Sequence, residues 1–512
     1  MNYTDLFRAM LPETALEIAA LLVLVIDLAL LRSAALKVRA AAASLVGVAG
    51  CVAGLWTLQI AGTAGFGYGG SVLLSAGGYT EVAQAAILVL TALTLLLLVD
   101  STFTRHVGEY VAVVLMAAAG GLVISAAQDL IVIFIGLELL SLGLYILTAF
   151  AKTSGKSAEA AIKYYLFGGM SAAFLLFGFS YLYGLSGSTN LREIALATTD
   201  SPAAGATPLL YVALVMIAAG LGFKVAAVPF HLWAPDTYEG APAPGAAFIA
   251  SVSKVASFAL LIGIGTALLH VFDGAHVVRV TGLIVTKAPS KYMGLAEPWM
   301  LILLVLAVAS MVLGNLAALV QTSVRRLVAY SAIAHAGYIL LGLAYFSYSP
   351  RSTEAILYYV VTYGLTTVGA FAVVDVVERA TGSDRMDAFL GLYKRNRMVA
   401  VVLLVLFLSL AGIPPLVGFW AKFNLFAAVL HVSRGVVPFA LVALAVMFSA
   451  VSLYYYLQVL KRAFVMPAVE ETPIKTSPVT MAVLIAVAVG VVVIGCFPAL
   501  LGGWISGFFP AW

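Results

Sequence analysis

Residues 398–431 read MVAVVLLVLFLSLAGIPPLVGFWAKFNLFAAVLH. A straight membrane span needs about 20 apolar residues to cross about 30 Å of hydrocarbon, and this run is too long for one. At its centre stands Gly412-Ile413-Pro414-Pro415, which cannot continue an ordinary helix. Proline has no amide hydrogen to give, and its ring collides with the preceding turn. The stretch reads as one span made of two half-helices, with a single lysine, Lys422, two turns past Pro415.

The rest of the 512 residues has the same character, with 63% apolar side chains, 10% charged ones and a mean hydropathy of +1.09. A soluble globular chain carries about 25% charged residues, so this composition cannot make a soluble surface. It excludes a cytosolic enzyme, a nucleic-acid binder and a disordered protein. The net charge of +4 comes from basic residues spread along the chain, which points to membrane topology and not to nucleic acid. Cys51 and Cys496 both sit in apolar runs, so the chain has no disulfide framework, haem attachment motif or iron–sulfur ligand set. No cleavable signal peptide is expected, because the first apolar run contains Glu13, Glu17 and Asp27 and has no basic region ahead of it.

Apolar runs lie near 11–31, 37–60, 80–99, 109–126, 129–150, 160–184, 208–230, 242–270, 298–320, 325–346, 353–377, 398–431, 437–464 and 478–500. The expectation is an all-α polytopic membrane protein of about 14 transmembrane helices. Alternating those spans puts both termini on one side. If that side is outside, sixteen basic residues fall in inner loops against seven in outer ones, as the positive-inside rule requires. Ala161-Ile162-Lys163-Tyr164-Tyr165 recurs as Ala355-Ile356-Leu357-Tyr358-Tyr359, and Phe177 matches Phe371. These are spans six and eleven, an odd number apart, so spans 4–8 and 9–13 form an inverted pair. Transporters built this way hold their ion sites near the midplane, at broken helices. The expected divisions are 1–106 (spans one to three), 107–273 (first repeat), 274–297 (a connecting loop), 298–466 (second repeat) and 467–512 (the last span and tail). The Gly-rich stretch 61–78 also reads as a connecting loop.

Four of the basic residues fall within spans: Lys163, Lys224, Lys254 and Lys422. A charge at mid-bilayer costs about 2.5–3.5 kcal/mol on insertion scales, so it needs a partner, a wet cavity or a task. Glu138, Lys224, Lys254, His335 and Lys422 share one expected depth, a polar belt along the midplane. Simpler readings stand beside this one. Glu138 and Lys224 form a structural ion pair, Lys254 bonds carbonyls or Ser251 and Ser253, and His335 is a neutral core histidine. Lys163, a turn into its span and one turn after Glu159, either snorkels or functions. The set suits proton transfer. An ammonium buried without a counter-ion tends to release its proton, and a nearby carboxylate restores the tendency to hold it. An external energy source is required, and the sequence shows no Gly-rich phosphate loop, dinucleotide fingerprint or haem-ligating pair. His231, beside Asp236 and Glu239, allows a metal site, but a loop packed by Trp233 and Pro235 accounts for the segment better.

At these residues the sequence resembles the antiporter-like subunits of respiratory complex I. Gly222-Phe223-Lys224, Val228-Pro229-Phe230-His231-Leu232-Trp233-Ala234-Pro235-Asp236 and Tyr238-Glu239-Gly240-Ala241-Pro242-Ala243-Pro244 with Ser253-Lys254 are closest to the subunit N branch. Gly136-Leu137-Glu138-Leu139, Arg326-Leu327-Val328-Ala329-Tyr330-Ser331 with His335, and Gly412-Ile413-Pro414-Pro415 with Lys422 agree, over about residues 10 to 500. The resemblance implies two inverted five-helix repeats, each with one broken helix, here spans seven and twelve. It implies Glu138 and Lys224 as a modulating ion pair, Lys254 as a connecting residue, His335 as a relay and Lys422 as the terminal proton carrier. Lysine at 422, where the subunit M branch would carry glutamate, favours subunit N, and the long lateral helix of subunit L is not seen.

The implied function is proton translocation in the membrane arm of a proton-pumping NADH:quinone oxidoreductase. The implied setting is a bacterial inner membrane with other membrane subunits as partners. The chain itself would hold no cofactor, and FMN and iron–sulfur clusters would sit on partner chains. A subunit of an Mrp-type sodium/proton antiporter, a purely structural membrane subunit, and a related complex fed by another electron donor remain alternatives.

Overall fold

A computed structural model describes residues 3–61, 66–68, 71–200, 207–270, 296–346, 350–432, 435–468 and 472–509. The first part of the chain holds α1 (Tyr3–Ala9), α2 (Leu11–Val25), α3 (Leu36–Ala61), α4 (Tyr79–Leu97), α5 (Val107–Ala126), α6 (Leu130–Ala149), α7 (Gly155–Ser186) and α8 (Leu191–Asp200). Next come α9 (Thr207–Val225), α10 (Trp233–Gly240), α11 (Ala243–His270), α12 (Ala296–Leu319), α13 (Val324–Ala344) and α14 (Pro350–Thr381). The chain continues with α15 (Leu392–Arg395), α16 (Arg397–Ala411), α17 (Val417–Val432), α18 (Val436–Phe464), α19 (Pro478–Cys496) and α20 (Pro498–Ser506). Only helices meet the demand that every backbone polar group in hydrocarbon be paired within its own segment, short of a closed barrel.

Among the described residues twelve helices are long and apolar enough to cross a membrane. Two further passages are composite. α2 is continued by a π-helical turn, Ile26–Leu30, and α16 and α17 are the two halves of the broken span. The fold is therefore the expected polytopic helical one. Its spans end where the sequence supplies caps. Asp129 accepts from the Ile131 amide at 2.9 Å, Ser154 from Ser157 at 3.3 Å, Ser323 from Arg326 at 3.2 Å and Asn396 from Val399 at 3.1 Å. These side chains take up amides that the first turn leaves unpaired.

The two helices that carry the internal repeat, α7 and α14, have the same length, 32 residues. Their surroundings differ. Of the residues in its most apolar stretch, 89% are buried in α14 and 33% in α7. Thus α14 runs through the middle of the bundle with α11 and α13, while α7 lies on the rim.

The glycine-rich outer stretch, expected as plain loop, contains a small antiparallel hairpin of β1 (Phe66–Tyr68) and β2 (Ser71–Leu74). The hairpin is tied down by the Gln128 amide to Leu73 O at 2.9 Å and by Asn190 Nδ2 to Val72 O at 2.7 Å. The expected connecting loop at 274–297 lies outside the described residues as far as 295, and Ala296 already opens α12.

Candidate functional site

The second broken helix shows how a lysine is held inside the bundle. α16 stops at Ala411 because Gly412 takes the left-handed conformation at φ 88°, where other residues are strained. A Cβ at 412 would also stand only 3.0 Å from Lys422 Cδ, so glycine is needed for space as well. From α17, Lys422 reaches back across the break. Its Nζ donates to Leu410 O and Ala411 O, both at 3.0 Å, and to Ser449 Oγ of α18 at 2.8 Å. The last carbonyls of a helix have no partner within it and form the negative end of its dipole. The buried ammonium is seated on that end, and the break becomes a cation seat.

The first break repeats the theme with different partners. Lys224 stands in the last turn of α9, which ends one residue later at Val225. Pro229, which cannot continue a helix, lies five residues past the lysine. The helix already stops beside the lysine, with Ala226 at a positive φ of 57°. Lys224 Nζ donates to Ser141 Oγ of α6, and Ser141 donates to Leu137 O of its own helix.

The direct Glu138–Lys224 ion pair that the resemblance implied is not closed. Glu138, half-buried, takes part in no salt bridge among the described residues, and Ser141, one turn further along α6, meets the ammonium instead. The geometry is simple. Residues three apart share a helix face, so a hydroxyl at 141 competes with the carboxylate at 138 for the same cation.

Lys254 is different again. It is buried in α11, and its Nζ has no hydrogen-bond partner among the described residues. The carbonyl or serine contacts of the simpler reading are not made among the described residues, and Ser251 donates to Ala247 O at 2.6 Å. What faces the ammonium is the Trp233 ring, 5.7 Å from Nζ to the centroid. Trp233 is fixed on its other flanks. Its Nε1 donates to Phe223 O at 2.9 Å, and its ring stacks on Tyr164 of α7 at 4.3 Å and 4°. Phe223, next to Lys224 in sequence, lies 5.1 Å from Trp233, and Lys224 Nζ lies 5.4 Å from the Phe223 ring. Two lysines thus flank one aromatic slab.

In the second half a single ring serves the same purpose. Tyr338 of α13 lies 5.4 Å from Lys422 Nζ and 5.8 Å from the His335 ring. His335 Nδ1 and the Tyr359 hydroxyl of α14 are 2.8 Å apart. A cavity with room for about one water is lined by His335, Tyr359, Tyr363, Thr362, Thr366 and Ser409. His335 and Lys422 are therefore brought together around Tyr338.

Lys163 and His231 fall outside this belt. Lys163 is held by Glu159 at 2.6 Å and Asp236 at 2.7 Å, and it belongs to a network at the end of α10. Arg326 joins Asp236 and Glu239 there, and Lys156 joins Glu239. No metal-holding group of His, Cys, Asp and Glu occurs among the described residues, since Asp236 and Glu239 face lysine and arginine. Trp233 and Pro235 are buried and do pack the segment, but as the first turn of α10 and not as the expected loop.

Sequence reasoning did not find Ser141, Ser449, Tyr338 or Tyr359. The repeat pointed at Tyr359 as half of a Tyr-Tyr pair without giving it a role. The arrangement can hold a proton at each of four buried nitrogens and place hydroxyls and rings between them.

Residues 127–273 and again 265–449 match the family described as NADH:quinone oxidoreductase/Mrp antiporter, TM. The chain is 46% identical over 515 aligned residues, 99% of each, to the NADH-quinone oxidoreductase subunit N 2 of Acidobacterium capsulatum. A chain in the structure of respiratory complex I from Thermus thermophilus with bound aureothin superposes with a TM-score of 0.74 at 31% identity, covering 96% of this chain and 98% of that one. A chain of the Mrp complex from Dietzia sp. DQ12-45-1b shares the fold at a TM-score of 0.78 and 20% identity, over 99% and 98% of the two chains.

Proposed function

The chain belongs to the NADH:quinone oxidoreductase/Mrp antiporter transmembrane family, and from that membership we infer that it is a proton-translocating membrane-arm subunit of an NADH:quinone oxidoreductase, of the subunit N kind. The observation that carries the reading is the seating of Lys224 and Lys422 at two helix breaks within the bundle. A structural subunit has no use for a buried ammonium whose cost is several kcal/mol without compensation. The protein works among other membrane subunits of a complex. In this reading NADH oxidation and quinone reduction take place on partner chains, which carry the flavin and iron–sulfur clusters. The chain lies in a bacterial inner membrane with both ends outside.

The proton chemistry follows from the contacts. In this reading Lys422 carries its proton while seated on the α16 carbonyls and Ser449, and it passes the proton on when the break moves those acceptors away. At Lys224 the switch is Glu138. With the carboxylate drawn onto the ammonium the proton is held, and with Ser141 in its place the counter-charge stands farther off. Lys254, which faces the Trp233 ring and has no hydrogen-bond partner among the described residues, passes a proton on toward His335 in this reading. The cost of each step is met from the redox reaction, against a membrane potential worth about 2.3 kcal/mol per charge per 100 mV.

The test is purification of the complex with the tagged chain, followed by proton uptake into proteoliposomes during NADH oxidation. Lys224→Ala and Lys422→Ala are expected to assemble, to oxidise NADH when uncoupled, and to move markedly fewer protons per NADH. Full pumping in both variants would overturn the reading. Recovery of the chain with membrane subunits alone, without NADH-dependent quinone reduction, would move it to the Mrp antiporter class.

A further inference from the structure

The first break is fastened from outside its own repeat. Between Val225 and Trp233 the amide of Ala226 donates to Phe223 O at 3.0 Å and that of Ala227 to Gly222 O at 2.7 Å, both within α9. Pro229 has no amide to give. The Val228 amide is bonded at 2.9 Å by Ser310 Oγ, which lies on α12 and is fully buried. At the second break the corresponding bond is internal, from the Gly418 amide to Ser409 Oγ of α16 at 3.2 Å. One break is closed by its own span, and the other by a helix of the second repeat.

That helix is in turn locked to the one that carries His335. A Cβ on Gly314 of α12 would stand 2.6 Å from the Ala334 backbone nitrogen, and one on Gly337 of α13 would stand 2.7 Å from the Met311 nitrogen. Backbones in such close approach move as a pair. The path from His335 to Lys224 therefore runs through two backbones packed without side chains between them, one hydroxyl, and the loop four residues past the lysine.

We propose that Ser310 is a positioning residue, through which the α12–α13 pair of the second repeat sets the geometry of the break that carries Lys224. The proposal rests on the proton-pumping reading above and adds to it a mechanical link between the repeats. A hydroxyl can accept at 2.9 Å in one register and lose that bond after a shift of about an ångström, since hydrogen bonds weaken steeply with distance and angle. Losing it leaves a buried amide unpaired, so the break must follow α12 or open.

The test uses the assembled complex with Ser310→Ala, Ser310→Thr and Ser310→Cys, read by amide hydrogen exchange over residues 222–233 and by protons moved per NADH. In Ser310→Ala the Val228 amide should exchange about five-fold faster, the equivalent of one hydrogen bond of about 1 kcal/mol. Protons per NADH should fall while uncoupled electron transfer stays unchanged. Threonine should restore both, with cysteine between; should the alanine variant not assemble, the cysteine–threonine comparison decides by the same readouts. Transmission is tested with His335→Ala. That change should alter exchange over 222–233 when Ser310 is present and should have no effect there in Ser310→Ala. Unchanged exchange in Ser310→Ala, unchanged pumping despite faster exchange, or an equal response to His335→Ala in both backgrounds would each overturn the proposal. The exchange results stand apart from the pumping assay, so failure of the functional reading would show itself separately, as full pumping in the lysine variants.

Discussion

Among the described residues Lys422 has three oxygen partners, of which one, Ser449, is a side chain. Ser449→Ala should therefore weaken the seat without abolishing it. A hydrogen bond to a charged group is worth about 1.5–3 kcal/mol, and two remain. Proton flux in proteoliposomes should fall in this variant, but less than in Lys422→Ala. The lysines themselves were legible in the sequence, because a charge inside an apolar run has a known cost. Their hydroxyl partners were not. A buried serine in a helix ordinarily bonds a carbonyl one turn back, as Ser141 does to Leu137 and Ser251 to Ala247, so its presence marks nothing by itself. For the same reason the sequence does not show that Ser141 stands where the resemblance puts Glu138 against Lys224.

At the level of the elements, span length and prolines point to the helices and the twelfth-span break, and the seventh span ends at Val225, ahead of Pro229. The π-helical turn at Ile26–Leu30 left no trace in the apolar pattern. It carries Asp27, buried and paired with Arg39 through two bonds, Nε to Oδ1 and Nη2 to Oδ2, each 2.6 Å. Asp27 also accepts from the Gly108 amide at 3.2 Å, so one carboxylate joins the first, second and fourth spans. Removing one partner of a buried pair leaves an uncompensated charge, which costs about 3–5 kcal/mol. Arg39→Ala should lower the thermal stability of the purified chain by that order, whereas Asp27→Asn together with Arg39→Gln should lower it less, in the same melting experiment.

Across the whole molecule, we propose from the passages among the described residues and the distribution of basic residues that both ends lie outside. Cysteine labelling in intact cells tests this directly, after Cys51 and Cys496 are replaced. A cysteine at the exposed Gly503 position should react with a membrane-impermeant thiol reagent, and one at the exposed Lys475 position should react only once the membrane is opened. The slab around Trp233 carries one more consequence. An indole emits at a wavelength that depends on the charge above its face, and here the group is the Lys254 ammonium, 5.7 Å away and without a hydrogen-bond partner among the described residues. With the other five of the six tryptophans exchanged for phenylalanine, the colour of the remaining light would follow the occupancy of a single proton site during turnover. The protein comes with its own optical gauge.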